Sequence, residues 1–257
     1  MHAPGDCRTL PFLGLDFADT DAAGAAALIA ARPAGAPFSY VVTPNADHIA
    51  RLARDPALLP LYQYAWLRLL DSRLIANLAG LLGLAAPAAA PGSDITALLL
   101  SAHLQPGERI AVVGLRPGFL PALVARCGLA PPAHYDPPMG FVADPAAMAR
   151  AAAFVEAHPA RFVFLAVGSP AQERLAAAIQ ARGRAVGIGL CIGASLDYLA
   201  GASRRAPVWA QRAGLEWLHR LANDPGRLAR RYLLDDPPVL AMLLRARMLA
   251  GARRVYC

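Results

Sequence analysis

The chain has 257 residues, 56% of them apolar, with 25 basic and 18 acidic side chains, and every basic one is an arginine. That is enough apolar sequence to bury one sizeable core, which excludes an intrinsically disordered chain. Cys7, Cys127, Cys191 and Cys257 are scattered without a CxxC pair, which excludes a disulfide scaffold and favours a reducing compartment.

The charge is segregated. Residues 201–257 hold eleven arginines against four acids, whereas residues 1–200 hold fourteen of each, so the whole excess of +7 lies in the last 57 residues. An anionic partner is expected at that end: nucleic acid, a membrane surface or a phosphorylated ligand. Arginine suits all three, because its forked guanidinium is always charged and binds phosphate in two-pronged fashion.

The opening "MHAPGDCRTLPFLGLDF" has no basic start followed by an apolar run, so no secretory signal is expected. Next, "TDAAGAAALIAA" reads as a helix, and Asp19 and Asp21 of its "DTD" read as caps in preference to a metal motif. "SYVVTP" (39–44) reads as a buried strand that delivers Thr43, Asn45 and Asp47 to its end, followed by the helical "ADHIARLARDPALLPLYQY". "WLRLLD" (66–71) reads as a second strand. It ends directly on Asp71, a carboxylate placed to accept a proton from a hydroxyl, with a cap or an ion pair to Arg73 as the plainer alternative. The apolar stretch "LIANLAGLLGLAAPAAAPG" meets Pro87 after 13 residues, short of the roughly 20 needed to span a bilayer, so an integral membrane protein is not expected.

Downstream, "DITALLLSAHL" reads as a helix, "RIAVVG" (109–114) as a strand, and "PGFLPALVARCG" and "PAAMARAAAFVEAH" as helices. "FVFLAVG" (162–168), helical "PAQERLAAAIQARG" and strand "AVGIGLCIG" (185–193) follow. Strands without polar alternation, separated by helices, predict an α/β fold with a mainly parallel, Rossmann-like sheet covered on both faces. In such a fold, ligands lie beyond the C-terminal strand ends.

Three of those ends are glycine turns running into helices: Gly114 with Arg116 and Gly118, Gly168 with Ser169, and Gly193 with Ser195 and Asp197. Their free amides suit a nucleotide diphosphate, and Gln172 and Glu173 in the following turn are placed to read a ribose or base. Each turn alone is equally ordinary architecture. No zinc spacing, P-loop, GxGxxG or GxSxG occurs.

From Trp209 onward only helical patterns remain, broken at "NDPG" and "LDDPP", which predicts an α/β core over 1–200 and a basic helical appendage over 201–257. Trp209 and Trp217 are eight apart and are expected on one helical face, among Arg205, Arg212 and Arg220. Such a helix suits a membrane interface, with docking of the tryptophans on the core as the alternative.

Segments in the order "TPNADHIARLARDP", "LLDSRLI", "PGSDI", "VVGLRPGF", "FLAVGSPAQE", "CIGASLDYLAGASRRAPVWAQRAGLEWLHRL" and "DPGRLARRYL" resemble the WecG/TagA/CpsF glycosyltransferases, over roughly residues 10–235. The resemblance implies transfer of a sugar from a UDP-sugar to a polyprenyl-diphosphate-linked saccharide at the cytoplasmic face of the bacterial inner membrane. It further implies inversion, and neither metal nor cofactor. Under it Asp71 is the base and Thr43 and Asn45 bind substrate; Arg73, Ser93 and Asp94 are expected to bind substrate beside them. Gly114, Arg116, Gly118, Gly168, Ser169, Gln172, Glu173, Gly193, Ser195 and Asp197 hold the nucleotide. Arg205, Trp209, Arg212, Trp217, Arg220, Arg227, Arg230 and Arg231 meet diphosphate and membrane. The family usually has Asp-Gly where this chain has Asp71, Ser72 and Arg73, and Gly where it has Ala194. A cation beside the base would reshape the sugar pocket, recognise an acidic sugar or reduce activity. A catalytically silent nucleotide- or lipid-binding module therefore stays open as a second reading. Nucleic-acid binding is disfavoured for want of a recognition motif, and self-association through the tail stays open.

Overall fold

The computed structural model describes residues 7–203 and 205–255, the side chains of 212, 227, 231, 232 and 250–255 excepted. Among the described residues, six parallel strands form one sheet in the order β4-β3-β8-β7-β5-β6. They are β3 (Ser39–Val42), β4 (Leu67–Arg68), β5 (Ala111–Gly114), β6 (Ala133–Tyr135), β7 (Phe162–Ala166) and β8 (Ile188–Cys191). An antiparallel hairpin of β1 (Thr9–Phe12) and β2 (Leu15–Ala18) precedes them.

The predicted parallel α/β architecture is therefore the observed one. The apolar strand runs have their explanation in the core, because alternate residues of each strand point to opposite faces. Tyr40, Val42, Val163 and Leu165 pack into one cluster, and Val41, Val112, Phe162 and Phe164 into the other. On the first face lie α2 (Ala46–Arg54), α3 (Leu59–Gln63), α4 (Arg73–Leu81), α7 (Pro145–Ala157) and α8 (Ala171–Arg182). On the second lie α1 (Ala22–Ala30), α5 (Gly92–Leu98), α6 (Leu120–Cys127) and α9 (Ser195–Leu199).

The tail forms α10 (Val208–Arg212), α11 (Glu216–Asn223), α12 (Pro225–Arg230) and α13 (Pro238–Val255). Val239 and Leu243 of α13 are buried in the first cluster alongside Ile75 and Ala79 of α4. The single helix expected through Trp209 and Trp217 is corrected here, since the two stand on separate helices. Gly214, in the left-handed conformation at φ +74°, ends α10, and its amide donates back to the Gln211 carbonyl at 3.1 Å.

The strand expected at 66–71 is short and irregular, yet its backbone still follows β3. The amides of Trp66, Leu69 and Asp71 donate to the carbonyls of Tyr40, Val42 and Pro44 at 2.9, 3.0 and 3.0 Å. Asp71 is thereby carried to the C-terminal end of the sheet. The hairpin β1–β2 and the edge strand β6 were not expected. Pro11 sits inside β1, and the turn is built on Leu13 and Gly14, both at positive φ, without the usual Asn-Gly or Asp-Gly pair.

Candidate active site

Beyond the ends of β3, β8 and β7 opens a polar cavity of about 770 Å³. Its walls follow from local sequence. Asn45 begins α2 with a capping box, taking the amide of His48 on its side chain while the His48 ring meets the Asn45 backbone. One turn later Arg51 pairs with Asp47 and donates to the Ser169 hydroxyl at 3.0 Å, tying α2 to the turn after β7. Thr43 is buried and donates to the Cys191 carbonyl at 3.2 Å. The Ser195 hydroxyl donates to the Ile192 carbonyl at 2.6 Å and holds the turn after β8. The tail closes the far side with His219, Arg220 and Asn223 of α11.

Next to it, between α4 and the tail, lies a second pocket of about 310 Å³. Leu74, Ile75 and Leu78 line it from α4, Trp217 from α11, and Val239, Leu240 and Leu243 from α13. Asp71, Asn45 and Arg220 line both spaces, so Asp71 stands where they meet.

The plainer alternatives for Asp71 are both occupied by other residues. Ser72 caps α4, accepting from the Ile75 amide at 3.2 Å. Arg73 pairs with Asp94, and Arg205 takes the other oxygen of the same carboxylate. Among the described residues the Asp71 carboxylate makes no side-chain hydrogen bond and no ion pair within 4 Å. Burial pushes its pKa up to about 7. Arg220 opposes that rise, Glu216 and Asp94 add to it, and Arg205 opposes it. A carboxylate so tuned is basic enough to take a proton from a hydroxyl near neutral pH. Burial works against the charge of Arg220, yet Tyr198, Glu216 and Asp71 more than offset it, so this guanidinium titrates above its usual range.

Of the residues singled out in the sequence, Thr43, Asn45, Asp71, Ser93, Gly168, Ser169, Gln172, Gly193, Ser195, Asp197 and Arg220 line the polar cavity. Arg73 and Trp217 line the apolar one, and Asp94 and Arg205 stand behind Arg73. Gln172 and Glu173 face inward and are occupied with protein. The Gln172 side chain accepts from the Gly193 amide at 2.9 Å and donates to Glu173 at 2.9 Å, and Glu173 is 1% exposed. Burial raises the Glu173 pKa.

Gly114, Arg116 and Gly118 line neither cavity. Gly114 meets a packing demand instead: a Cβ there would come within 2.5 Å of the Ala166 carbonyl oxygen, and its φ is +91°. Trp209 is 68% exposed and Arg230 is exposed beside Asp235, both away from the cavities. The side chains of Arg212, Arg227 and Arg231 lie outside the described residues.

Sequence reasoning missed His48, Arg51, Tyr198, His219 and Asn223 as walls. Helical spacing offered one signal. Asn45 and His48 are a cap and its third residue, and Asp47–Arg51 and His219–Asn223 are each four apart.

A parallel sheet with a polar cleft over its central strand ends, and a buried carboxylate beside it, defines a class: an α/β protein of Rossmann-like architecture with its ligand cleft at the strand ends. Residues 10–253 match the glycosyl transferase WecG/TagA/CpsF family, and the chain belongs to it. It is also similar to the N-acetylglucosaminyldiphosphoundecaprenol N-acetyl-beta-D-mannosaminyltransferase of Bacillus subtilis (strain 168), with 33% identity over 144 residues. That stretch covers 54% of each protein, so the chain spans about half the length of the curated relative it matches. Among the described residues no helix is long and apolar enough to cross a membrane, and no group of three potential ligand side chains could hold a metal ion.

Proposed function

We propose that this glycosyltransferase moves a sugar from a UDP-sugar to a saccharide carried on a polyprenyl diphosphate, with inversion at the anomeric carbon and without a metal or other cofactor. Its setting is the assembly of a cell-surface or exopolysaccharide, at the cytoplasmic face of the inner membrane, where it is peripheral. The name of the Bacillus relative specifies an acceptor of this kind, an N-acetylglucosamine on diphosphoundecaprenol. The observation that carries the reading is the position of Asp71, shared by a polar and an apolar cavity and, among the described residues, without a competing partner.

In this reading the UDP-sugar lies in the polar cavity, with its diphosphate toward Gly168, Ser169 and Gly193. Asp71 takes the proton of the acceptor hydroxyl as that oxygen attacks the anomeric carbon from the face opposite the leaving UDP. Negative charge grows on the departing diphosphate, and Arg220, held by Glu216 at 2.7 Å, is aimed into the same space to meet it.

The test is UDP release by wild type and Asp71→Asn. UDP-hexoses and UDP-uronic acids are screened against a short-chain prenyl-diphosphate saccharide, with and without EDTA. Turnover that survives EDTA and falls at least about a hundredfold in the variant is expected. Turnover equal in the variant removes Asp71 as the base, and turnover lost in EDTA removes the metal-free mechanism. Absence of turnover with every donor favours a silent binding module.

A further inference from the structure

We infer that the apolar pocket between α4 and the tail binds the first isoprene units of the acceptor lipid, so that donor and acceptor reach Asp71 from two separate compartments. This rests on the reading of the acceptor as a prenyl-diphosphate saccharide. The two spaces differ in chemistry. The polar cavity is walled by Asp47, His48 and Arg51, which suit a nucleotide and would strand a hydrocarbon. The other is walled by Leu74, Leu78, Trp217, Leu240 and Leu243, which would strand a nucleotide.

The charged side chains of the pocket lining are Asp71, Arg73, Glu216, Arg220 and Asp236, and Arg220 is paired with Glu216. Arg73 and Arg205 share the single carboxylate of Asp94, which leaves one positive charge uncompensated within that trio. An anionic headgroup followed by hydrocarbon fits this lining: diphosphate at Arg73 and Arg205, saccharide at Asp71, isoprenes among the leucines. At about 310 Å³ the pocket is at the small end of ligand sites, which run from roughly 300 to 1,000 Å³. It therefore takes a few units and not a whole polyprenyl chain. The remainder has a way out along α13, whose Leu240 and Leu244 are 47% and 45% exposed.

The roof is seated closely on the floor. A Cβ at Gly214 would come within 3.1 Å of the Leu74 backbone, so the segment joining α10 to α11 rests directly on α4. The pocket belongs to the docked tail and is not a groove open to any apolar partner.

The test measures binding of inorganic diphosphate, dimethylallyl diphosphate and farnesyl diphosphate to the full chain by calorimetry, without membrane, in wild type, Leu78→Trp and Leu240→Trp. Both substitutions place an indole in the pocket, and thermal unfolding checks that each variant is folded. Leu240 is half exposed, so its variant decides if Leu78→Trp does not fold. In wild type, farnesyl diphosphate is expected to bind at least about tenfold more tightly than inorganic diphosphate, with dimethylallyl diphosphate between them. In the folded variants that preference shrinks to about threefold or less. Equal affinities in wild type, or a preference retained in both variants, overturn the pocket. UDP release is scored separately. Farnesyl preference without turnover of any donor leaves the pocket standing and removes the transfer reaction, while turnover without a preference does the reverse.

Discussion

The side-chain carbonyl of Gln172 accepts the backbone amide of Gly193 at 2.9 Å, joining the first turn of α8 to the turn that follows β8. Two walls of the polar cavity are thus fixed to each other from behind. Gln172→Leu removes the acceptor and leaves the Gly193 amide without it, which costs about 1–3 kcal/mol. The turn loosens, so UDP is expected to bind about tenfold more weakly while the fold is retained. Thermal unfolding and UDP titration of the same variant check the two halves. Unchanged UDP affinity would mean the turn is held without Gln172, by β8 and the Ser195–Ile192 bond.

Much of this architecture is written locally. Central parallel strands are buried on both sides, so β3, β5, β7 and β8 appear as unbroken apolar runs, and the residues just after β3, β7 and β8 are cavity walls. Asp71 could be picked out because a carboxylate closing an apolar run stands at a strand end. What was not legible depends on distant partners. Asp94 joins Arg73, 21 residues away, to Arg205, 111 residues away, and no spacing announces that. The inward turn of Gln172 is likewise set by Gly193, a residue on another strand end. The break between α10 and α11 was missed because apolar periodicity continues through Gly214, whose left-handed backbone ends the first helix.

Activity should follow the ionisation of Asp71. With its pKa near 7, kcat/KM is expected to rise about tenfold per pH unit below 7 and to level above it. Stability should run the other way. Because the folded pKa lies above the usual 3.8, the stabilising effect of the neutral carboxyl is complete below about pH 4 and lost as pH rises through 7. Asp71→Asn escapes that loss, so it should match wild type near pH 4 and exceed it at pH 8, by about 1–3 kcal/mol given the partial exposure of the site. Urea unfolding at the two pH values checks the sign.

Arg220 lowers the pKa of Asp71 and also holds Glu216, whose charge raises it. Arg220→Gln removes the first influence and frees the second, and both changes favour the neutral carboxyl. The acid limb of the pH–rate profile is expected to move to higher pH, together with a lower kcat/KM. A purely structural role would lower the rate by the same factor at every pH and leave the limb in place.

Asp94 holds Arg73 and Arg205 together, which makes its loss unequal to the loss of either arginine. Arg73→Ala leaves the Arg205–Asp94 pair intact, and at 28% and 19% side-chain exposure the pair it removes contributes about 1 kcal/mol or less. Asp94→Ala leaves two guanidiniums facing each other without their common carboxylate. The remaining like charges repel, so this variant should lose about 2–3 kcal/mol. Removing both Asp94 and Arg73 should then restore part of that loss, a coupling that a double-mutant cycle measures directly. The same cycle reads the site. The Asp94 carboxylate raises the Asp71 pKa, so Asp94→Ala should shift the acid limb of the rate profile downward, toward the ordinary carboxylate range. A limb that stays near 7 would mean that Asp94 takes no part in setting the base.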